Sequence, residues 1–251
     1  MKPKIRIIPT ILYNNTLVKG KKFKSWRVVG NLFQMIKLYS LREVDELIFF
    51  DIEASKKGYL ELSLIDEFAD ECFMPLTIGG GIKKLKDIDD LLKVGADKVC
   101  INSAATYNLE FIRQAIKKFG SQCIVISVDY KLNKKNNLEV FKNSGTVGTG
   151  LLLHEYVKKI SDLGPGEIIL TSIDHDGEMK GYDIKTLLNI NSISSSSIIA
   201  SGGAGNCDDI YKVIERTGIT TISAASIFHF TEITPMDVKR YLKEKGLNVR
   251  L

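Results

Sequence analysis

No acidic residue occurs in the first 42 positions, although ten lysines and arginines do. A stretch so one-signed points to an anion meeting this end of the chain, which a net charge of only +5 would not suggest by itself. Helix-turn-helix, RNP-like and aromatic-interleaved basic patterns are all missing, so nucleic acid is not the expected partner; a phosphorylated small molecule fits better. A solvated basic loop would look the same at this level. Cysteines are few, and Cys72, Cys100, Cys123 and Cys207 show no CxxC spacing. Two of them sit in the strand-like runs VCIN and QCIVISV, which predicts buried, reduced thiols rather than disulfides or metal ligands. His154, His175 and His229 are scattered and form no ligand pair, so no metal and no cofactor is expected. No run approaches the roughly 20 apolar residues of a membrane span. The opening MKPKIRIIPT lacks the apolar core and small-residue cleavage site of an export signal, so a cytoplasmic protein with no membrane partner is expected.

With 44% hydrophobic and 26% charged residues, the 251-residue chain has an ordinary globular composition and can build a large core. Short β-branched runs alternate with longer amphipathic stretches, the pattern of βαβ units around a parallel sheet. The strand candidates are IRIIPTI, ELIFFDI, MPLTIGG, KVCINS, CIVISVD, EIILTSID, SIIASGG and TTISAAS. Between them lie FQMIKLYSLREV, SLIDEFADEC, LKDIDDLLKVG, LEFIRQAIKKFG, LLLHEYVKKISDLG and CDDIYKVIERTG, each with apolar residues three and four apart. Eight alternations close more naturally into a (β/α)8 TIM barrel than into an open sheet, and such barrels use about 250 residues as one domain. A single α/β domain over residues 1–251 is therefore expected.

The chain also repeats itself. Asp51 recurs as Asp174, GGGI at 79–82 as SGGAG at 201–205, and INSAA as ISAAS, at spacings of 123, 122 and 121 residues. A steady spacing near half the length predicts two similar half-barrels, about 1–121 and 122–251, with similar sites on opposite sides of one mouth. The glycines Gly79, Gly80 and Gly81, and Gly202 and Gly203 in the second half, follow strands directly. Without a Cβ they let backbone N–H groups close on an anion. Each cluster is paired with a small-residue loop after the next strand, Asn102 to Ala104 and Ala225 to Ser226, leading into helix-like sequence whose N-terminus would favour phosphate. One glycine cluster alone is more often a tight turn. Two in register predict a pair of phosphate sites, and hence a ligand carrying a phosphate at each end.

The residues RIIP, LVKG, VDELIFFDI, GGGI, GADKVCIN, FGSQ, ILTSIDHDG, GYD, IIASGGAG, AASIFHF and NVRL are specific enough to name a family. From about Arg6 to Leu251 the chain resembles the cyclase subunit of imidazole glycerol phosphate synthase, HisF. That resemblance implies a protein that takes ammonia from a class I glutaminase partner, conducts it through the barrel, and uses it to cleave and cyclise a twice-phosphorylated ribonucleotide in histidine biosynthesis. It implies one phosphate site from Gly80, Gly81, Asn102 and Ala104, and another from Asp176, Gly177, Gly202, Gly203 and Ser226. Lys19 looks like the mobile-loop lysine that closes over substrate. Asp51, Thr171 and Ser201 look like lining, and Arg6, Glu46, Lys98 and Glu167 like the ring of charges where ammonia enters. Read without the resemblance, those four would pass as ion pairs.

Asp129 matches one of the family's two catalytic aspartates and could act as general acid or base; alone it would also suit a cap or turn. The other aspartate falls near Leu12 in PTILYNNTLVKG, where there is no carboxylate: the first acidic residue of the chain is Glu43. The loss of one of two proton carriers typically costs a factor of about 10² to 10⁴. Three readings therefore stand. The first is a HisF-type lyase and cyclase with Asp129 working alone or helped by Lys19. The second is a non-cyclising subunit that passes glutaminase-derived ammonia to a separate sugar amidotransferase in surface polysaccharide (lipopolysaccharide) synthesis. The third is a sugar-phosphate isomerase on the same two-site barrel.

Overall fold

The computed structural model describes residues 4–42 and 44–251, apart from the side chain of Lys56. Strands, in chain order, are β1 (Arg6–Tyr13), β2 (Leu17–Lys21), β3 (Lys24–Gly30), β4 (Leu47–Asp51), β5 (Leu76–Gly79), β6 (Lys98–Ile101), β7 (Ile124–Leu132), β8 (Leu138–Lys142), β9 (Val147–Leu152), β10 (Glu167–Ser172), β11 (Ser197–Ser201) and β12 (Thr221–Ala224). Eight of them pair in parallel in the circular order β1-β4-β5-β6-β7-β10-β11-β12, and β12 closes back on β1. Helices lie between the strands, as the alternating pattern predicts, and the result is a closed (β/α)8 barrel. Two longer helices, Ile184–Ile193 and Pro235–Glu244, and two short ones, Ala54–Lys57 and Ser226–Phe230, add to the six read from spacing. No helix among the described residues is long and apolar enough to cross a membrane.

The period-2 alternation of each strand decides what faces where. In β7, Ile124, Ile126 and Val128 point out to the helices, while Val125 faces inward. The inward set Ile8, Ile48, Cys100, Val125, Ile169 and Ile199 forms an apolar layer of its own inside the barrel, separate from the larger core between sheet and helices. Amphipathic helices are pinned at their starts. Asn206 and Asp209 cap Cys207–Thr217 reciprocally, and Thr234 and Asp237 do the same for Pro235–Glu244, satisfying backbone donors that would otherwise be unpaired.

Strand register gives the internal repeat a structural form. Leu12 pairs across to Phe50, as Asp129 pairs to Thr171; Phe50 pairs to Gly79, as Thr171 pairs to Ser201. By this register Leu12 is the equivalent of Asp129, Glu46 of Glu167, and Gly80 of Gly202. The counterpart of Asp51 is Ser172 rather than Asp174, and Asn102 and Ser103 correspond to Ala225 and Ser226. The letters alone align two of the three repeats two residues off, because loops of like composition match more readily than strand positions do. Each half also extends its first strand into an antiparallel hairpin, β2–β3 after β1 and β8–β9 after β7.

Candidate functional site

Successive inward positions change chemistry with height along the barrel. At the strands' N-terminal end stand four charges in mutual contact. Arg6 donates to Glu46 and Glu167, and Lys98 reaches the same two carboxylates at 2.8 Å each. Arg6 also donates to Thr221 at 2.8 Å. The structure thus brings together all four residues that the sequence pointed to as a ring. For Arg6, Lys98 and Glu167 burial opposes charge, but the partners outweigh it: Arg6 and Lys98 are raised by Glu167 and Glu46, and Glu167 is lowered by Lys98 and Arg6. Above this ring lies the apolar layer, and above that the chain turns polar, with Thr10 and Ser223 hydrogen-bonded at 2.6 Å.

At the strands' C-terminal end a cavity of about 370 Å³ opens at the mouth. It is lined by Lys19, Asp51, Gly80, Gly81, Asn102, Ala104, Asp129, Thr171, Asp176, Gly177, Ser201, Gly202, Gly203, Ala225 and Ser226, whereas Gly79, the first of the glycine run, packs against Phe50 and does not line it. Gly80 (φ +130°) leaves an ideal Cβ only 2.4 Å from the Asp51 carbonyl, and Gly203 (φ +129°) leaves one 2.2 Å from the Gly181 carbonyl. Neither position admits a side chain, which keeps both backbones bare toward the cavity. The small-residue loops lead into single turns, a 3-10 turn at Ser103–Thr106 and a short helix at Ser226–Phe230, rather than into long helices. Ser226 Oγ is buried without a hydrogen-bond partner among the described residues, a polar atom that an oxyanion in the cavity would satisfy.

Asp129 sits inward on β7 where that strand leaves the barrel for the β8–β9 hairpin, 7% exposed. Asn102 Nδ2 donates to its Oδ2 at 3.1 Å and Ser127 Oγ to its Oδ1 at 3.4 Å. Burial pushes its carboxyl up to about 7; the bonds from Ser127 and Asn102 oppose that, and the nearby Asp176 charge adds to it. Such a group carries and releases a proton near neutrality, which suits acid–base work. Asn102 serves here through its amide on Asp129, a tie that sequence did not reveal. Asp51 caps its own turn, its Oδ1 accepting from the backbone N–H of Glu53 and Ala54 at 2.9 Å each.

Lys19 is 2% exposed on β2, and its Nζ donates to both oxygens of Asp176, at 2.9 and 2.7 Å. The backbone N–H of Lys22 donates to the Asp176 carbonyl, and Gly20 packs against Gly177, so the β2–β3 hairpin lies down on the loop after β10. Phe23 and Trp26 of that hairpin line the cavity with Phe50, Tyr107 and Lys142, and the β8–β9 turn adds Asn143 and Ser144. Sequence reading passed over these lining residues; the run KNSGTVG, with its positive-φ turn, was the available hairpin signal. Leu12 lines the cavity where β1 places the equivalent of Asp129. Half-buried His229 is lowered to about 4, chiefly by desolvation and then by Lys19, which makes it a neutral imidazole at ordinary pH. Among the described residues no three of His, Cys, Asp and Glu come together as a metal-holding group.

With this geometry in view, the comparisons with known proteins agree on one family. The model of the family described as histidine biosynthesis protein matches residues 6–234. The imidazole glycerol phosphate synthase subunit HisF of Dictyoglomus thermophilum is 44% identical over 248 residues, 98% of each chain. A putative imidazole glycerol phosphate synthase subunit hisF2 of Campylobacter jejuni is 43% identical over 251 residues, 99% of each chain. The HisF subunit of Bacillus cereus is 40% identical over 248 residues and 98% of each chain. The chain belongs to the histidine biosynthesis protein family, alongside the imidazole glycerol phosphate synthase HisF subunits.

Proposed function

We propose that this chain is the cyclase subunit of an imidazole glycerol phosphate synthase, using ammonia from a glutaminase partner to cleave and cyclise a bis-phosphorylated ribonucleotide. The observation that carries this reading is the pair of glycine-walled cradles, at Gly80–Gly81 and Gly202–Gly203, on opposite sides of one mouth that also holds Asp129. A ligand with phosphates at both ends spans them, and Asp129 lies between them as the proton carrier. The ring of Arg6, Glu46, Lys98 and Glu167 stands at the other end of the axis, where ammonia would enter. A docking face there is supported by exposed Leu41 and Phe73, on segments that the Ser40 Oγ to Glu71 carbonyl bond of 2.8 Å ties to each other.

Ammonium salt and the bis-phosphorylated ribonucleotide test this directly: the purified chain should produce the imidazole product. No turnover beside a working HisF control would reject the reading. Leu12, at the position equivalent to Asp129, favours a second one, a non-cyclising subunit that hands ammonia to a sugar amidotransferase. In that case a glutaminase co-purifies with the chain while ribonucleotide turnover is absent.

A further inference from the structure

We infer that Asp176 is the second proton-carrying carboxylate of this mouth, filling the role that the barrel's internal symmetry would assign to position 12, and that Asp129 and Asp176 divide the acid and base work. This rests on the ammonia-dependent reading above.

Three carboxylates line the cavity: Asp51, Asp129 and Asp176. Asp51 spends Oδ1 on two backbone N–H groups of its own turn. Asp176 is the carboxylate whose charge acts on Asp129. Beside Gly177 and Gly202, in a cradle whose bare backbone and unpartnered Ser226 hydroxyl invite an anion, a carboxylate repels what the cradle attracts. It is tolerated there because Lys19, itself buried, donates to both of its oxygens. A phosphate arriving in the cradle competes for that ammonium and leaves Asp176 with an open oxygen toward the cavity.

The two acids differ in surroundings, and that difference assigns their roles. Asp129 has no cation within hydrogen-bond reach among the described residues and receives only neutral donors, so it is the group that enters the reaction with a proton. Asp176, ion-paired to Lys19, enters as the carboxylate. When the lone pair of ammonia forms a bond to a carbon doubly bonded to oxygen, the π pair moves to that oxygen. The new nitrogen then loses a proton to Asp176, and the oxygen gains one from Asp129. Departure of the oxygen as water reverses both transfers: Asp176 returns its proton to the leaving oxygen, and Asp129 takes one from the nitrogen as the C=N bond forms. Both acids finish as they began, with no change in oxidation state.

The test compares wild type, Asp176→Asn, Leu12→Asp/Asp176→Asn and Asp176→Glu. Each is assayed with ammonium chloride and the bis-phosphorylated ribonucleotide, and each is titrated with inorganic phosphate by calorimetry. Asp176→Asn should lower kcat by about 10²-fold or more and shift KM only a few-fold. Leu12→Asp in that background should restore at least about tenfold, since it supplies a carboxylate at the symmetric position. An Asp176→Asn variant that keeps kcat and changes only KM or phosphate affinity overturns the inference, because Asp176 is then a binding residue. A double variant no better than Asp176→Asn overturns the equivalence of the two positions. Should Asp176→Asn not fold, Asp176→Glu decides: a fall in kcat with phosphate affinity retained supports the role, and an unchanged kcat overturns it. Wild type without turnover overturns the cyclase reading together with this inference, whereas active wild type with fully active Asp176→Asn overturns the inference alone.

Discussion

The two halves of the barrel agree at one end and part company at the other. At the strands' N-terminal end, Glu46 and its equivalent Glu167 make matching contacts to the same arginine and lysine. At the mouth, Asp129 faces its counterpart Leu12, and Lys19 from the first half reaches across to Asp176 in the second. Repetition is kept among the charges that balance one another and broken at the mouth, where Leu12 stands opposite Asp129. A symmetric mouth would offer two identical acids; this one offers acids in unlike surroundings.

The sharpest way to break that contrast is Asp129→Asn. Ammonia-dependent turnover should fall by about 10² to 10⁴, and a steady-state assay showing undiminished kcat would mean that another group moves the proton. Next comes the balanced end: Glu46→Ala and Glu167→Ala should each destabilise the fold by up to about 3 kcal/mol, because each strips partners from the half-buried Lys98 and Arg6. Urea unfolding that separates the two variants widely would show the ring to be less symmetric than its geometry. Third is the pH dependence of stability. The Asp129 carboxyl is raised by burial to about 7 from an ordinary 3.8, so the native state holds a proton that the unfolded chain has released. Its contribution is therefore complete below about pH 4 and is lost as pH rises through 7, an effect of about 2–4 kcal/mol. Asp129→Asn should consequently be more stable than wild type at pH 8 and should lose that slope, even as it loses activity.

Smaller effects compare the cradles and the silent counterpart. Gly80→Ala forces a Cβ onto the Asp51 carbonyl at 2.4 Å, whereas at the equivalent Gly202 the Ser172 carbonyl lies 2.9 Å away. Both variants should weaken bis-phosphate binding, Gly80→Ala by about tenfold or more and Gly202→Ala by less, since the strain is greater at the first. Calorimetry with the reverse order would show that the second cradle dominates affinity. Leu12→Ala should change turnover by less than about threefold, as expected of a side chain that only walls the cavity.

Much of the barrel was legible because each strand advertises itself twice, by β-branched residues and by alternation: Glu167, Ile169 and Thr171 on one face of β10 already spell charge, apolar layer and lining in order of height. The glycine cradles were legible too, since a residue without Cβ after a strand has few other uses. The hairpins were not. Lys24–Gly30 is exposed almost throughout, so KSWRVVG carries no inward pattern to read. The Lys19–Asp176 pair spans 157 residues of chain, and neither residue's neighbours hint at the other. Asn102 on Asp129 joins the ends of neighbouring strands, and the stagger that brings its amide to that carboxylate is not written in the sequence. The helix Ile184–Ile193 runs into a string of serines, which blurred its apolar stripe.

Asp129 belongs to a strand that runs unbroken into the β8–β9 flap, with Asp129 itself laddered to Phe141 of that flap. The peptide that aims the acid is therefore also a rung of the hairpin that walls the cavity, so a substitution that loosens the ladder at Phe141 acts on the aim of Asp129 without touching its carboxyl.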